Sequence, residues 1–405
     1  MARLSIWLAP FSPDYSGAAS VFFDLNAVSA MHDASGCTGN YTGFDEPRWY
    51  GSSSAIYCSG LREIDLIMGD DEKLVSKMLM AGADLKPDIF ALIGSPAPMV
   101  AGCDLNGIAR ELEARSGVVS LGIDTTGTEY YDRGVFLAVR ALLERFAEKG
   151  ETRPGTVNIV GVNPMDFGQS ENFADLKSLL SENGLEIIST LSMDYGLSAL
   201  RDAPKAQVNL AVSRAGFLIA RYMEERYGQP WLASLPIGRK CAASYIGLLR
   251  QIMADGKPRA IKGESASGGG TRWLIVGEQV QSDCIRNALG AEYGETDVTV
   301  GAIFGLEAGL AAPGDTDLPD ERAIKGAINS DRYDAVIADP FLYPLLDDPG
   351  KRFLHHTQYA VSSKLGSAYK VDFIGGSFNE WYENSLSRGN VSPKFLDTGS
   401  IPVGR

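Results

Sequence analysis

The chain has 405 residues, beyond the roughly 250 to 300 at which one hydrophobic core stops growing, so two or three globular units are expected. Hydrophobic residues make up 45% and charged residues 22%, which excludes a largely disordered chain. A formal charge of -14 without a Lys/Arg-rich run excludes a partner held through nucleic-acid phosphates. There is no run of about 18 apolar residues, and the apolar stretch at 4–11 is broken by Pro10, Pro13 and Asp14, which points to a cytoplasmic protein with no membrane span and no secretory signal.

In chain order, Asp70 and Asp71 are placed to cap a helix whose Leu74, Val75, Met78 and Leu79 recur at helical spacing, with Gly82 just past its end. Residues 89–93 read as a buried strand. Asp104 then caps a helix with Ile108 and Leu112 inward, Gly117 stops it, and residues 118–123 form the next strand, a complete βαβ unit. A second block opens with a strand at 157–160 after Pro154-Gly155. A helix carrying Phe173, Leu176, Leu179 and Leu180 follows, then a strand at 185–188. Residues 207–212 read as a strand ending at Ser213-Arg214, where a helix begins that runs to Tyr227 and stops at Gly228. The Gly/Ser-rich segment 263–270 reads as a linker. Beyond it lie strands at 273–277, 298–300 and 334–339. The alternation predicts an α/β fold of three Rossmann-like, doubly wound parallel-sheet domains over residues 1–150, 151–265 and 266–405.

Open parallel sheets bind ligands outside the carboxyl ends of their strands, so the loops after Ile93, Val160, Val212, Val276 and Ile337 are the places to look. Gly161-Val162-Asn163 and Gly277-Glu278-Gln279 lack the further glycines of a dinucleotide fingerprint, and no P-loop occurs. The five cysteines are odd in number, which favours reduced thiols or metal ligands over disulfides. Cys37, Cys58 and Cys103 fall in the first block beside glycines, where backbone can approach an inorganic cage. Soft thiolates are what iron–sulfur clusters require, and three are one short of a four-cysteine cage, so a carboxylate or a second subunit would complete it. Cys241 and Cys284 read as small buried hydrophobes.

The run from His32 to Cys37 resembles the H-G-P-x-G-C segment of nitrogenase component 1 proteins, and 62–74 resembles their E-x-D-x-x-F-G-G-x-x-K-L. Residues 94–105 are similar to T-C-x-x-x-x-I-G-D-D-I, with Pro96 at the family cysteine and Cys103 seven residues on. Residues 209–214 and 220–231 resemble N-L-x-x-C-Y-R and R-x-x-E-E-K-Y-G-I-P-W, with Ser213 in place of the cofactor-ligand cysteine. The similarity runs from about Ala18 to about Trp381.

The resemblance implies a three-domain iron–sulfur reductase subunit of the nitrogenase-like branch, one that does not reduce dinitrogen because Ser213 offers no thiolate. It implies an iron–sulfur cluster, 4Fe–4S or larger, on Cys37, Cys58 and Cys103 and shared at a subunit interface. From its own position, His32 reads as a structural imidazole that orients the Cys37 loop or as a hydrogen-bond partner of the cluster, and Asp33 as a solvated surface carboxylate or as the missing oxygen ligand. An ATP-dependent iron protein donates electrons, docking near 94–104, and a second component 1-like subunit completes a homo- or hetero-dimer or tetramer. The substrate is an unknown small or tetrapyrrole-like molecule. Candidates to touch it are Ser213 and Arg214, which could bind an anionic group at a helix start, and His356 of the pair His355-His356, which could relay protons. The alternative reading is a non-catalytic scaffold for metallocofactor assembly, or a partner subunit.

Overall fold

A computed structural model describes residues 5–49, 54–69, 71–168, 170–261 and 270–388. The cap expected at Asp70 and positions 263–269 of the expected linker lie outside the described residues.

Three parallel sheets form the frame. The first contains β1 (Ala27–Met31), β2 (Ala55–Cys58), β3 (Ile89–Ile93) and β4 (Val119–Ile123), in the order β2-β1-β3-β4. The second contains β5 (Arg153–Val160), β6 (Glu186–Leu191), β7 (Ala206–Ala211), β8 (Trp231–Ala233) and β9 (Arg259–Ala260), in the order β6-β5-β7-β8-β9. The third contains β10 (Trp273–Gly277), β11 (Val298–Ala302), β12 (Thr316–Asp317), β13 (Ala335–Ala338) and β14 (Arg352–His355), in the order β12-β11-β10-β13-β14. Strands β1, β3, β10, β11 and β13 are buried at every residue. Both faces of such strands must be covered, which crossover helices do.

In each sheet the first strand lies inside, with the chain passing to one side of it and then returning to the other. The carboxyl ends of β1, β5 and β10 are therefore topological switch points, where open α/β sheets leave a crevice. Register keeps those ends level: Met31 pairs with Cys58 on one side and with Ile93 on the other.

Local chemistry sets several boundaries where the sequence predicts them. Asp104 accepts the Gly107 amide at 2.8 Å and Gly117 closes the helix Leu105–Ser116 in the left-handed region. Ser213 caps the helix Arg214–Tyr227, and Gly228 ends it with φ 74°. Gly82 is a correction: the helix Asp71–Leu85 runs through it. A Cβ at Gly82 would come within 2.4 Å of the Phe90 ring, so this glycine serves close packing on β3 and not termination. The strand β1 has no counterpart among the predicted elements.

The short helix Asp14–Val21 is wholly buried and crosses the helix Tyr131–Phe146. The two meet at glycines: a Cβ on Gly17 would lie 1.9 Å from the Tyr131 carbonyl oxygen, and one on Gly134 would lie 1.7 Å from that of Asp14. Asp14 fastens the crossing by accepting the amides of Thr126 at 2.8 Å and Gly127 at 2.7 Å. A methyl group at Gly134 meets backbone, which cannot rotate aside. Gly134→Ala is expected to lower stability by roughly 2 to 3 kcal/mol, read as a lower urea midpoint. Gly247→Ala, in the helix Arg239–Asp255 with open space around it, is expected to raise stability by up to about 1 kcal/mol. Equal midpoints for Gly134→Ala and the parent would refute the close crossing.

Candidate functional site

The switch point of the first sheet carries the sulfur candidates. Beyond β1, His32 is buried, and its Nδ1 lies 3.0 Å from the Ser59 hydroxyl, beyond β2. Ser95, beyond β3, donates to the His32 carbonyl at 2.7 Å. Three strand ends are thus tied to one residue. Burial pushes the His32 imidazole below its ordinary pKa, so it acts as a neutral brace. Asp33 is also buried, and its Oδ2 accepts the Thr38 amide at 3.0 Å. Ser35 sits in the left-handed region at φ 119°, a strained turn that leads directly into the helix Gly36–Asn40 with Cys37 near its start.

Cys37 is half-buried in the wall of an open cavity of about 950 Å³. Its thiol lies in hydrogen-bonding reach of the Tyr15 hydroxyl, and burial, reinforced by the negative charge of Asp33, pushes its pKa up. Asp45, in the same wall, accepts from Ser12 at 3.0 Å, Ser16 at 2.6 Å, Asn40 at 2.7 Å and Ser363 at 3.2 Å. The loop after Cys37 is thereby clamped to a segment that follows the third sheet, and Tyr359 adds a hydroxyl bond to the Phe44 carbonyl at 3.0 Å. Pro96 lines the cavity as well, packed against Gly127.

Cys58 and Cys103 do not line it. The Cys58 thiol donates to the Asp33 carbonyl at 3.2 Å and accepts the Gly60 amide at 3.3 Å. Cys103 has a thiol pushed up to about 11, by burial first and then by Asp71, Asp104 and Asp124. Among the described residues no three His, Cys, Asp or Glu side chains come together as a metal site. One chain therefore presents one thiol to the cavity. That donor set does not fit a cluster caged within a single chain; it fits a share of one completed by a second chain. Cys241 and Cys284 are buried, and their sulfurs accept from Asn287 and from the Leu235 amide, both at 3.1 Å.

The other two switch points meet in the interior. Ser213 Oγ donates to the Gly161 carbonyl at 2.7 Å and accepts the Gly216 amide at 3.1 Å, so the hydroxyl is committed to its helix cap. The Arg214 guanidinium pairs with Asp132, and with Glu307 at 2.7 Å. Its amide donates to Glu278 at 2.7 Å. Asp166 accepts from the Tyr131 hydroxyl, and from Asn163 at 2.5 Å. Burial, with Glu278 nearby, drives Asp166 far above the ordinary carboxyl range. A pocket of about 30 Å³ borders Asp166, room for a water or two. His356 is buried between the rings of Phe373 and Trp381, at 5.6 and 5.7 Å, and among the described residues neither ring nitrogen has a hydrogen-bond partner. Its pKa is pushed down to about 4 by burial. Sequence reasoning missed Tyr15, Asp45, Tyr131, Asp132, Asp166 and Glu278. Glu278 alone had a signal, an acid directly after a buried strand.

Three parallel sheets, with a thiol at one switch point and a polar cluster between the other two, define a three-sheet, doubly wound α/β protein. The profile of the family described as Nitrogenase component 1 type Oxidoreductase matches residues 13–267, more than half of the chain, and the chain belongs to that family. It is 25% identical over 199 residues to the B subunit of light-independent protochlorophyllide reductase from Nostoc sp. (strain PCC 7120), covering 46% of this chain and 39% of that protein. The corresponding protein of Crocosphaera subtropica is 26% identical over 201 residues, covering 47% of this chain and 40% of that protein. The match thus spans about two-fifths of the length of these relatives. A solved structure of nitrogenase Cp1 at pH 6.5 aligns with a TM-score of 0.70 at 15% identity over 100% of this chain and 97% of that one. The same protein at pH 5 gives 0.68 at 16% identity, over 100% and 92%. At that identity the likeness establishes the fold. No helix among the described residues is long and apolar enough to cross a membrane.

Asp339, at the end of β13, holds the cavity wall from behind. It accepts the amides of Phe341 at 2.8 Å and Gln358 at 2.7 Å and the Ser362 hydroxyl at 3.0 Å. Burial pushes it from the ordinary 3.8 up to about 7. A carboxyl raised in the folded state binds its proton more tightly there than in the unfolded chain, so its contribution to stability falls as pH rises from 3.8 to about 7. Asp339→Asn cannot ionise. It is expected to be less stable than the parent near pH 4, with the gap in urea midpoint narrowing towards pH 7; a gap that widens with pH would contradict the assignment.

Proposed function

We propose that this chain is the electron-accepting subunit of a nitrogenase-like two-component reductase. Cys37 holds its share of an iron–sulfur cluster at an interface between chains, with a second component 1-like subunit supplying further donors. An ATP-dependent iron protein delivers single electrons, and a small molecule receives them. The observation that carries this reading is the Cys37 thiol in the wall of a large open cavity, on a strained turn at the first switch point. Family membership and the named activity of the protochlorophyllide reductase relatives support it.

Bound there, a cluster would accept and release electrons one at a time. The residues of this chain do the rest. Burial and Asp33 push the Cys37 thiol above its ordinary pKa, so iron binding, which requires the thiolate, tightens as pH rises. Tyr15 stands beside the sulfur, and Asp45 fixes the loop that carries it. The segment 94–104, whose short helix Pro96–Val100 ends in Val100, 90% accessible, is the docking region for the electron donor. Dinitrogen reduction is not proposed, because Ser213 caps a helix and Arg214 is neutralised by Asp132 and Glu307. That closed interior also favours a second reading, a non-catalytic partner or assembly scaffold, which would show no multiple turnover with the iron protein.

Produced anaerobically with iron and assembled with its second component 1-like subunit, the chain is expected to be brown and to contain iron and sulfide. Cys37→Ala is expected to lower the iron content by more than about tenfold, whereas Cys241→Ala leaves it unchanged. A colourless, fully folded preparation would refute the cluster.

A further inference from the structure

We infer that the cavity beside Cys37 is a binding site for an uncharged or cationic, largely apolar small molecule, and that it turns anions away. The ligand's role as substrate rests on the reductase reading; the site itself rests on shape and lining. Its volume of about 950 Å³ is at the upper end of small-molecule sites, roughly 300 to 1,000 Å³. Its walls come from segments distant in sequence, with apolar surface supplied by Leu8, Phe11, Tyr130, Ile324, Phe341 and Val361. The aromatic wall is stiffened by edge contacts, Phe11 and Tyr130 each meeting Phe304 at 5.7 and 5.4 Å. The segment 6–8 is strapped down by Glu321, whose carboxylate accepts the amides of Ile6 at 3.0 Å, Trp7 at 2.8 Å and Leu8 at 2.7 Å.

The charge of the lining sets the ligand class. Asp45, Glu129, Asp320 and Glu321 all line the cavity, and among the described residues that line it there is no Lys, Arg or His. A recess lined by one sign of charge focuses its field inward. An anion entering meets carboxylates and no counter-charge; a cation or a neutral ring meets a matching or indifferent field. This narrows the substrate away from a tetrapyrrole carrying free carboxylates and towards a neutral or positively charged ring compound.

The test uses the full-length, iron-free chain and three fluorescent probes: Nile red, neutral; Nile blue, cationic; and anilinonaphthalene sulfonate, anionic. Nile red and Nile blue are expected to saturate at one per chain, with the sulfonate at least about tenfold weaker. Ala9→Trp and Leu365→Trp fill the cavity from two exposed wall positions and are expected to abolish Nile red binding, while Met80→Ser, an exposed apolar position outside the wall, leaves it intact. Glu129→Arg is expected to tighten the sulfonate by about tenfold. Sulfonate binding as tight as Nile red, or unchanged Nile red binding in both folded tryptophan variants, would overturn the assignment. Iron content reports the cluster separately: probe binding without any cluster would leave the site standing and remove only its reductase role.

Discussion

The contact on which both polar centres depend is the crossing of the helices Asp14–Val21 and Tyr131–Phe146. At Gly17 and Gly134 backbone lies on backbone with no side chain between them. Glycine within a helix sacrifices stability relative to alanine, so each such glycine has to be offset by what the close approach permits. Here the approach sets Tyr15 against the Cys37 thiol on one side. On the other it carries Tyr131 and Asp132 across to Asp166 and Arg214 at the end of the second sheet. One helix pair thus fixes the distance between the cavity and the interior cluster.

The three switch points share a geometry and differ in contents. At β1 the crevice stays open and presents a thiol. At β5 and β10 it closes on the protein's own groups. Asp132, Asp166, Glu278 and Glu307 gather there around Arg214, which pairs with two of them. Glu278 instead accepts backbone amides as a helix cap, including Val280 at 2.9 Å and Gln281 at 2.8 Å. Asp166 lies beside it, and burial pushes its pKa well above the ordinary carboxyl range. Such a network rigidifies a core to the extent that its members are satisfied; here Asp132 Oδ1 and Arg214 Nε have no hydrogen-bond partner among the described residues. It explains why a serine suffices where the resemblance leads one to expect a ligand cysteine: the position caps a helix facing a filled interior.

What was legible in the sequence was what local chemistry decides. The caps at Asp104 and Ser213 and the stops at Gly117 and Gly228 follow from side-chain acceptors and from glycine's access to positive φ. Strands 89–93 and 273–277 were legible because continuous apolar runs bounded by turns have few alternatives. Strand β1, Ala-Val-Ser-Ala-Met, has no such signature; its strand character comes from pairing with β2 and β3 on both sides. Gly82 misled for a related reason, since its neighbour Phe90 belongs to another element. In the site, His32 and Cys37 were singled out by the spacing of the family resemblance and not by the strand end that precedes them. Tyr15, Asp45 and Ser363 reach the same cavity from remote segments, and no spacing rule links them.

The acidic lining of that cavity bears on more than ligand choice. Asp45, Glu129, Asp320 and Glu321 line the cavity that Cys37 also lines, so the thiol sits in a field of one sign. Forming the thiolate there is resisted first by burial and then by the negative charge of Asp33, with Asp14 adding to it. The thiol pKa is thus raised above its ordinary value by the same surroundings that hold its loop in place. Oxidation of a lone thiol proceeds through its thiolate, so the burial and the carboxylates that raise this pKa also slow that reaction.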